Sequence, residues 1–385
     1  MSDSLLNEAH VRTPSVRPLQ GLKVVDFTTL LPGPMASLML VEAGAEVIKI
    51  ERPGRGDEMR SYEPRFGSTS ANFALLNRGK QSLALDLKKP NDLAKARALA
   101  LEADIVVEQF RPGVMARLGL SYSDLAVDNP RLIYCSITGY GQDGPKSQVA
   151  AHDLNYVAEA GLLSLVVGRE GVPSMPHTPI ADIGGGAYPA VINILLALVE
   201  RQLTGRGRYL DVSMSENVFP FMYWALASSA VGQTPQPSGE LVTGGSPRYG
   251  VYRTKDDRYL ATAPIESQFW SRFCAIVGIA ETADAATVKV TIASRTAAEW
   301  QAAFLGEDVC CSIVASVGEA VKDPHIVARN VFSRTVECDG KSMPALPLPL
   351  VSAYRDPVAA RSAPELLERA ASIQTQGTTA AVWNV

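Results

Sequence analysis

The chain has 385 residues, of which 46% are hydrophobic and 20% charged, and a formal net charge of −4. That length supports two or three domains around a large core, and the acidic balance speaks against a general nucleic-acid binder. The five cysteines have no C-x-x-C spacing and the four histidines no pair at helical ligand spacing, which speaks against a disulfide framework or a zinc site.

In chain order, Leu22 to Phe27 reads as a short buried strand. The turn Leu31-Pro32-Gly33-Pro34 leads into a helix from about Met35 to Glu42, stopped at Gly44, and Ala45 to Ile50 forms the next strand. Strands at Ser82 to Leu87, Ile105 to Glu108 and Arg131 to Thr138 follow, with a helix at Asp92 to Glu102. This alternation predicts an α/β fold, a Rossmann-like large domain with a parallel sheet. The first turn lacks G-x-G-x-x-G, and Leu30-Leu31-Pro32 is too bulky for a pyrophosphate to reach the backbone. Instead, the stretch from Arg52 to Lys80 carries Arg52, Arg55, Arg60, Arg65, Arg78 and Lys80 against three acids. It is either an exposed charged loop or a site for a phosphorylated nucleotide such as coenzyme A.

Beyond the glycine-rich loop Gly139 to Pro145, the runs Leu154 to Leu165 and Pro189 to Gln202 are apolar enough for largely buried helices. A strand at Tyr209 to Ser213 and a helix at Glu216 to Ser229 follow. Residues 231–247, rich in Gly, Pro, Ser and Thr, are the expected linker. The large domain thus covers 1–230 and a smaller α+β domain 248–338. The latter has a hairpin turned at Lys255-Asp256-Asp257, helices at Ser267 to Val277 and Ala297 to Phe304, and strands near Ser312 to Ala315 and Val331 to Glu337. Residues 339–385 return to the large domain, through the extended stretch Met343 to Leu350, and end in a helix at Ala363 to Ser372. The longest apolar runs, such as Val191 to Val199, fall short of a bilayer span. The N-terminal stretch has no apolar signal segment and Trp383-Asn384-Val385 is no peroxisomal address. The expectation is a cytoplasmic protein without membrane or nucleic-acid partners.

Two stretches carry candidate chemistry. His152 offers an imidazole where a loop meets an apolar helical pattern, and Asp182 a carboxylate directly before Gly184-Gly185-Gly186. Each has a plain structural reading: His152 as a satisfied structural histidine, and Asp182 as an N-cap with its pKa held low. The glycines tilt the balance, because three at a helix start cost backbone entropy unless something approaches their N–H groups. A thioester or enolate oxygen would do so. Glu266, between an apolar strand and a helix start, is a candidate partner for the imidazole or again a cap.

The combined motifs identify a family. Gly21 to Asp26, Leu31-Pro32-Gly33-Pro34, Gly44 to Lys49, Glu51-Arg52-Pro53-Gly54, Asn77-Arg78-Gly79-Lys80, Phe110 to Val114 and the Gly139 to Pro145 loop resemble the family III CoA-transferases, in the same order. His152 to Tyr156, Asp182 to Gly186, Gly244 to Pro247 and Ile265 to Phe269 resemble its α-methylacyl-CoA racemase branch. The resemblance implies His152 and Asp182 as the two catalytic bases. It implies Glu266 as support for the histidine from the other subunit of an interlocked homodimer, with the active site at the interface. It also implies binding of the CoA portion by Arg52, Leu85, Asp86, Leu87, Lys88, Arg111, Ala151, Asp153, Leu154, Asn155 and Tyr156. The substrate would be an acyl-CoA, with no cofactor beyond its CoA moiety and no metal. In the transferase branch the aspartate matching Asp182 carries the acyl group; a catalytically silent CoA-binding protein is the third reading. Ala151 in place of glycine, Thr243 in place of aspartate, Ser267 in place of proline and Arg361-Ser362-Ala363-Pro364 in place of Gly-Glu-His-Thr depart from the racemase pattern. They bear on acyl specificity.

Overall fold

The computed structural model describes residues 17–168 and 171–367. Backbone contacts divide the chain into two units, one of 1–160, 176–218 and 330–385, the other of 161–175 and 219–329. The chain therefore passes into the main part of the second unit after 218, and the expected linker 231–247 lies inside that unit. Residues 330–338, expected in the smaller domain, join the first.

The first unit is built on six parallel strands: β1 (Lys23–Asp26), β2 (Glu46–Glu51), β3 (Gln81–Ala84), β4 (Ile105–Glu108), β5 (Ile133–Thr138) and β6 (Tyr209–Ser213). Their order is β3-β2-β1-β4-β5-β6, with Val24 opposite both Val47 and Ile105. The interior strands are almost wholly buried, as expected of a sheet covered on both faces. The order reverses between β1 and β4, and in such sheets the crevice outside the carboxyl ends at that point is where ligands bind.

Proline and hydrophobic pattern set the helices. Helix α1 (Pro32–Glu42) has proline in its first turn and all eleven residues buried. After α2 (Ala71–Asn77), helix α3 (Pro90–Glu102) turns Ala96, Leu99 and Ala100 onto Val25, Ile48, Ile50 and Leu83 of the sheet. The expected helix Leu154 to Leu165 is two short ones, α4 (Asp153–Glu159) and Leu162–Leu165, broken at Gly161 with φ +94°. Neither is largely buried, and Leu154 is 43% exposed. Helix α5 (Tyr188–Thr204) packs on β5, β6 and α1 through Ala190, Ile194 and Ala197. It also differs from expectation: Ile192, Leu195, Leu196, Val199 and Leu203 form an exposed stripe. Because the Gly184 to Gly186 segment continues the helix rather than breaking it, Ala181–Thr204 runs for 24 residues, long and apolar enough by composition to cross a membrane. The short-run expectation fails on that point; the helix carries a buried face against the sheet.

Charges are buried beneath the first loop. Lys80 bonds Asp26 at 3.3 Å and Lys49 bonds Asp57 at 3.0 Å, and all four side chains are inaccessible. Asp26 is held at about 2: burial works to raise it, and Lys80, Lys49 and the Ser37 and Thr28 hydroxyls together outweigh burial.

The second unit carries an antiparallel sheet of β7 (Gly250–Arg253), β8 (Tyr259–Thr262) and β9 (Cys311–Ile313), in the order β9-β8-β7. The expected hairpin turns where predicted, with Asp257 at φ +61°. Helices α6 (Tyr223–Ala230), α7 (Ser267–Val277), α8 (Ala285–Ile292) and α9 (Ala297–Phe304) accompany it. Trp270, Phe273, Phe304 and Trp300 stack in sequence at centroid spacings of 5.4, 6.1 and 5.6 Å to form the core.

A third sheet belongs to the first unit: β10 (Thr335–Cys338) lies between antiparallel β11 (Lys341–Pro344) and parallel β12 (Ala360–Ser362). Val336 and Ala363 pack there on Phe66 and Ala74. The helix expected at Ala363 to Ser372 is not formed over its described part. Residues 363–366 are irregular and Leu367 bridges to Leu83; residues 368–372 lie outside the described residues.

Candidate active site

The carboxyl ends of β1, β4 and β5 open into a cavity of about 370 Å³ in the first unit. Leu30 and Pro32 after β1, Gln109 to Pro112 after β4 and Thr138 to Tyr140 at the end of β5 line it. His152, Asn155, Tyr156 and Asp182 line the same cavity.

His152 is the residue before α4, with φ −130° and thus outside the helix. Its backbone N–H donates to Asn155 Oδ1 at 3.0 Å, the amide half of a capping box at the start of α4. Asp182 is not the cap of its plain structural reading. The preceding Ile180 is already helical (φ −68°, ψ −44°), and Asp182 lies in the first turn of a π-helical segment, Ala181–Ala187. Its N–H donates to Asp153 Oδ1 at 2.9 Å, which ties the segment to the start of α4. The direction of its pKa is also opposite to a cap's: burial first, and the neighbouring Asp153 carboxylate second, push Asp182 up to about 7. Tyr156 stays close through its hydroxyl, which donates to Ala151 O at 2.9 Å.

The glycines have a packing reason. A Cβ on Gly185 would sit 2.4 Å from Met214 O, and one on Gly186 3.0 Å from Pro32 Cβ. Gly185 and Gly186 are buried, and none of Gly184, Gly185 and Gly186 lines the cavity. The close approach at Gly185 and Gly186 is that of their own segment to Met214 and α1.

Arg52, Leu85, Asp86, Leu87 and Lys88 line a second cavity, of about 480 Å³, at the carboxyl ends of β2 and β3. Phe110 lines both cavities, and Arg111 and Ala151 line the first. Of the residues implied to hold CoA, Asp153 and Leu154 line neither: Asp153 is the tether to Asp182, and Leu154 faces outward. The six-cation loop is mostly spent internally. Arg60 pairs with Glu51 at 2.7 Å, buried Arg78 with Glu42 at 3.3 Å and Lys80 with Asp26, while Arg65 donates to the Arg60 and Ser68 carbonyls. Exposed Arg52 makes a surface pair with Glu58, and Arg55 enters no ion pair among the described residues. Glu51, the acid at the end of β2, accepts from Arg60, Ser82 and the Asp57 N–H. It is therefore not offered to a ribose.

Glu266 belongs to the second unit, directly before α7, and its exposed side chain does not cap that helix. Among the described residues no cluster of three or more His, Cys, Asp or Glu could hold a metal ion. Sequence reasoning missed Gln109, Thr138, Tyr140 and Met214 as cavity walls, and did not anticipate Phe110 as the residue shared by both cavities. The available signal was their position just past buried strands, where α/β sheets bind ligands.

The 3-2-1-4-5-6 sheet thus brings an imidazole and a buried carboxyl to one crevice at its carboxyl ends. The profile of CoA-transferase family III matches residues 19–369, and the chain belongs to that family. It is 36% identical over 371 residues to an alpha-methylacyl-CoA racemase of Mus musculus, covering 91% of this chain and 92% of the relative. It is 34% identical over 378 residues to an acetyl-CoA:oxalate CoA-transferase of Acetobacter aceti, covering 93% and 95%. The crystal structure of a CAIB/BAIF family protein from Brucella suis matches with a TM-score of 0.78 at 26% identity, over 91% of this chain and 96% of that one.

Proposed function

We propose that the protein is an α-methylacyl-CoA racemase or epimerase, inverting C2 of 2-methyl-branched acyl-CoA thioesters. The observation that carries this reading is that His152 and Asp182 line one cavity, with the carboxyl poised at about 7. A two-base inversion needs partners in opposite protonation states at neutral pH. The thioester acidifies the C2 proton. One partner takes that proton, and the electron pair of the broken C–H bond moves onto the thioester oxygen. The conjugate acid of the other partner then gives its proton to the opposite face of C2. Each turnover leaves the pair with its protons exchanged, ready for the opposite enantiomer. Asp153 holds the Asp182 backbone, so it acts by positioning.

The Arg52 to Lys88 cavity fits the nucleotide end of coenzyme A and the His152 cavity its thioester end, with Phe110 between them. We further infer a homodimer in which Glu266 of a second copy supports His152. The exposed stripe from Ile192 to Leu203 supports an interface, since a monomer would leave it wet. The similarity to an oxalate CoA-transferase sustains a second reading, with Asp182 as an acyl-carrying nucleophile.

Incubation with a panel of 2-methylacyl-CoAs in deuterated water separates the readings. The racemase reading expects deuterium at C2 in wild type, its loss in His152→Ala, and no hydroxamate on adding hydroxylamine. A hydroxylamine-trapped acyl group with no C2 exchange across the panel would leave the transferase reading standing instead.

A further inference from the structure

One buried carboxyl takes no part in the proton transfer. Glu108 ends β4 and is 3% exposed. Its Oε2 accepts from the Phe110 N–H at 2.8 Å, while its Oε1 accepts from the Ser136 hydroxyl on the neighbouring strand. Two further bonds hold the same loop: Gly33 N–H donates to Gln109 Oε1 at 3.2 Å, and Gln148 Nε2 to Pro112 O at 3.1 Å. Phe110 is the wall common to both cavities, and Arg111 lines the one holding His152 and Asp182.

Burial pushes the Glu108 carboxyl up to about 7, so it is an expensive occupant of this position. An apolar side chain of similar volume would cost less if filling space were its only task. What an apolar side chain cannot do is accept the N–H that turns the chain out of β4 within two residues.

We propose that Glu108 is a positioning residue that sets the Gln109 to Pro112 loop against the coenzyme A arm of the substrate, an assignment that rests on the acyl-CoA reading. Through the Phe110 N–H it fixes the partition between the nucleotide and thioester cavities. The role belongs to binding, and the proton-transfer pair is untouched by it.

Binding of free coenzyme A by calorimetry tests this on the full-length protein, with C2 exchange of a 2-methylacyl-CoA as the second readout. Glu108→Ala removes the acceptor, whereas Glu108→Gln keeps a carbonyl oxygen for the Phe110 N–H. The expected result is coenzyme A binding at least about tenfold weaker in Glu108→Ala and within about threefold of wild type in Glu108→Gln. In parallel, KM for exchange should rise in the alanine variant by a similar factor, with kcat changing far less. Should the alanine variant not fold, Glu108→Asp withdraws the acceptor by one methylene and is expected to show the same weakening. A folded Glu108→Ala or Glu108→Asp that binds like wild type overturns the proposal, as does a Glu108→Gln as weak as alanine. A wild type that binds no coenzyme A sinks the acyl-CoA reading itself, and this proposal with it.

Discussion

Asp182 shows how one carboxyl acquires two uses. Desolvation and the Asp153 charge bring it to about 7, so near neutrality it exists in comparable amounts as acid and as base. In the direction where Asp182 removes the proton, kcat/KM should fall as pH drops through 7; in the direction where it delivers the proton, the rate should fall as pH rises through 7. Asp153→Asn retains an amide oxygen for the Asp182 N–H but deletes the like charge, so both limbs should move to lower pH. A pH–rate series on each enantiomer checks this, and unmoved limbs would reject Asp182 as the titrating partner. Stability carries the same sign. A carboxyl raised on folding contributes most below its unfolded pKa, near 4, and that contribution is lost as pH rises through 7. Asp182→Asn should therefore raise Tm by roughly 2–4 °C at pH 8 and by less at pH 4, as read by thermal unfolding. The sequence displayed His152 and Asp182 because an imidazole and a glycine-flanked acid are rare residues in telling places. Only the plain capping reading of the acid carried the wrong sign, since burial and a second carboxylate 29 positions away decide that sign.

At the scale of elements, the first unit depends on contacts that admit no added atom. Gly185→Ala would place a methyl 2.4 Å from Met214 O. The expected cost is about 1–3 kcal/mol in urea unfolding, with lowered exchange because Met214 also walls the cavity. A stability equal to wild type would show that the segment has room to shift. The buried pairs are stricter still: Asp26→Asn leaves Lys80 without its carboxylate, while Lys49 keeps Asp57. Its expected cost is about 3–5 kcal/mol by the same measurement. Strands β1, β2, β4 and β5 and helix α1 were legible because apolar runs and Pro-Gly punctuation are local signals. The fate of the cations between Arg52 and Lys80 was not. Composition cannot separate an arginine aimed at a phosphate from one, like Arg78, turned inward to Glu42. Helix α8 was missed for a related reason: its cap, Asp284 accepting the Thr287 N–H, is plain, but its apolar residues are spread around the helix.

For the molecule as a whole, the stripe on α5 is the prediction to test. Leu196→Glu places a charge at the centre of Ile192, Leu195, Val199 and Leu203, all exposed in the single chain. If the proposed homodimer forms through this face, sedimentation should show a dimer for wild type and a monomer for the variant, with C2 exchange reduced at least about tenfold through loss of the proposed Glu266 support. A variant that sediments as wild type would remove α5 from the interface. The parallel sheet was legible from strand–helix alternation, and a large and a smaller domain were expected, but the points where the chain crosses between the two units were not. The chain leaves the first unit after residue 160 and again after 218, and composition marks neither crossing.

The bridge between Leu83 and Leu367 has a further consequence, in biosynthesis. Strand β3 is one of the sheet's two edge strands, and its Ala84 N–H finds the Leu367 carbonyl at 2.9 Å, a partner 283 positions later. A ribosome adding about 5–20 residues per second leaves that edge bare for tens of seconds while the rest is made. Newly made chains are thus open to sticking edge to edge until the last stretch emerges, and shortened versions ending before it should collect in inclusion bodies.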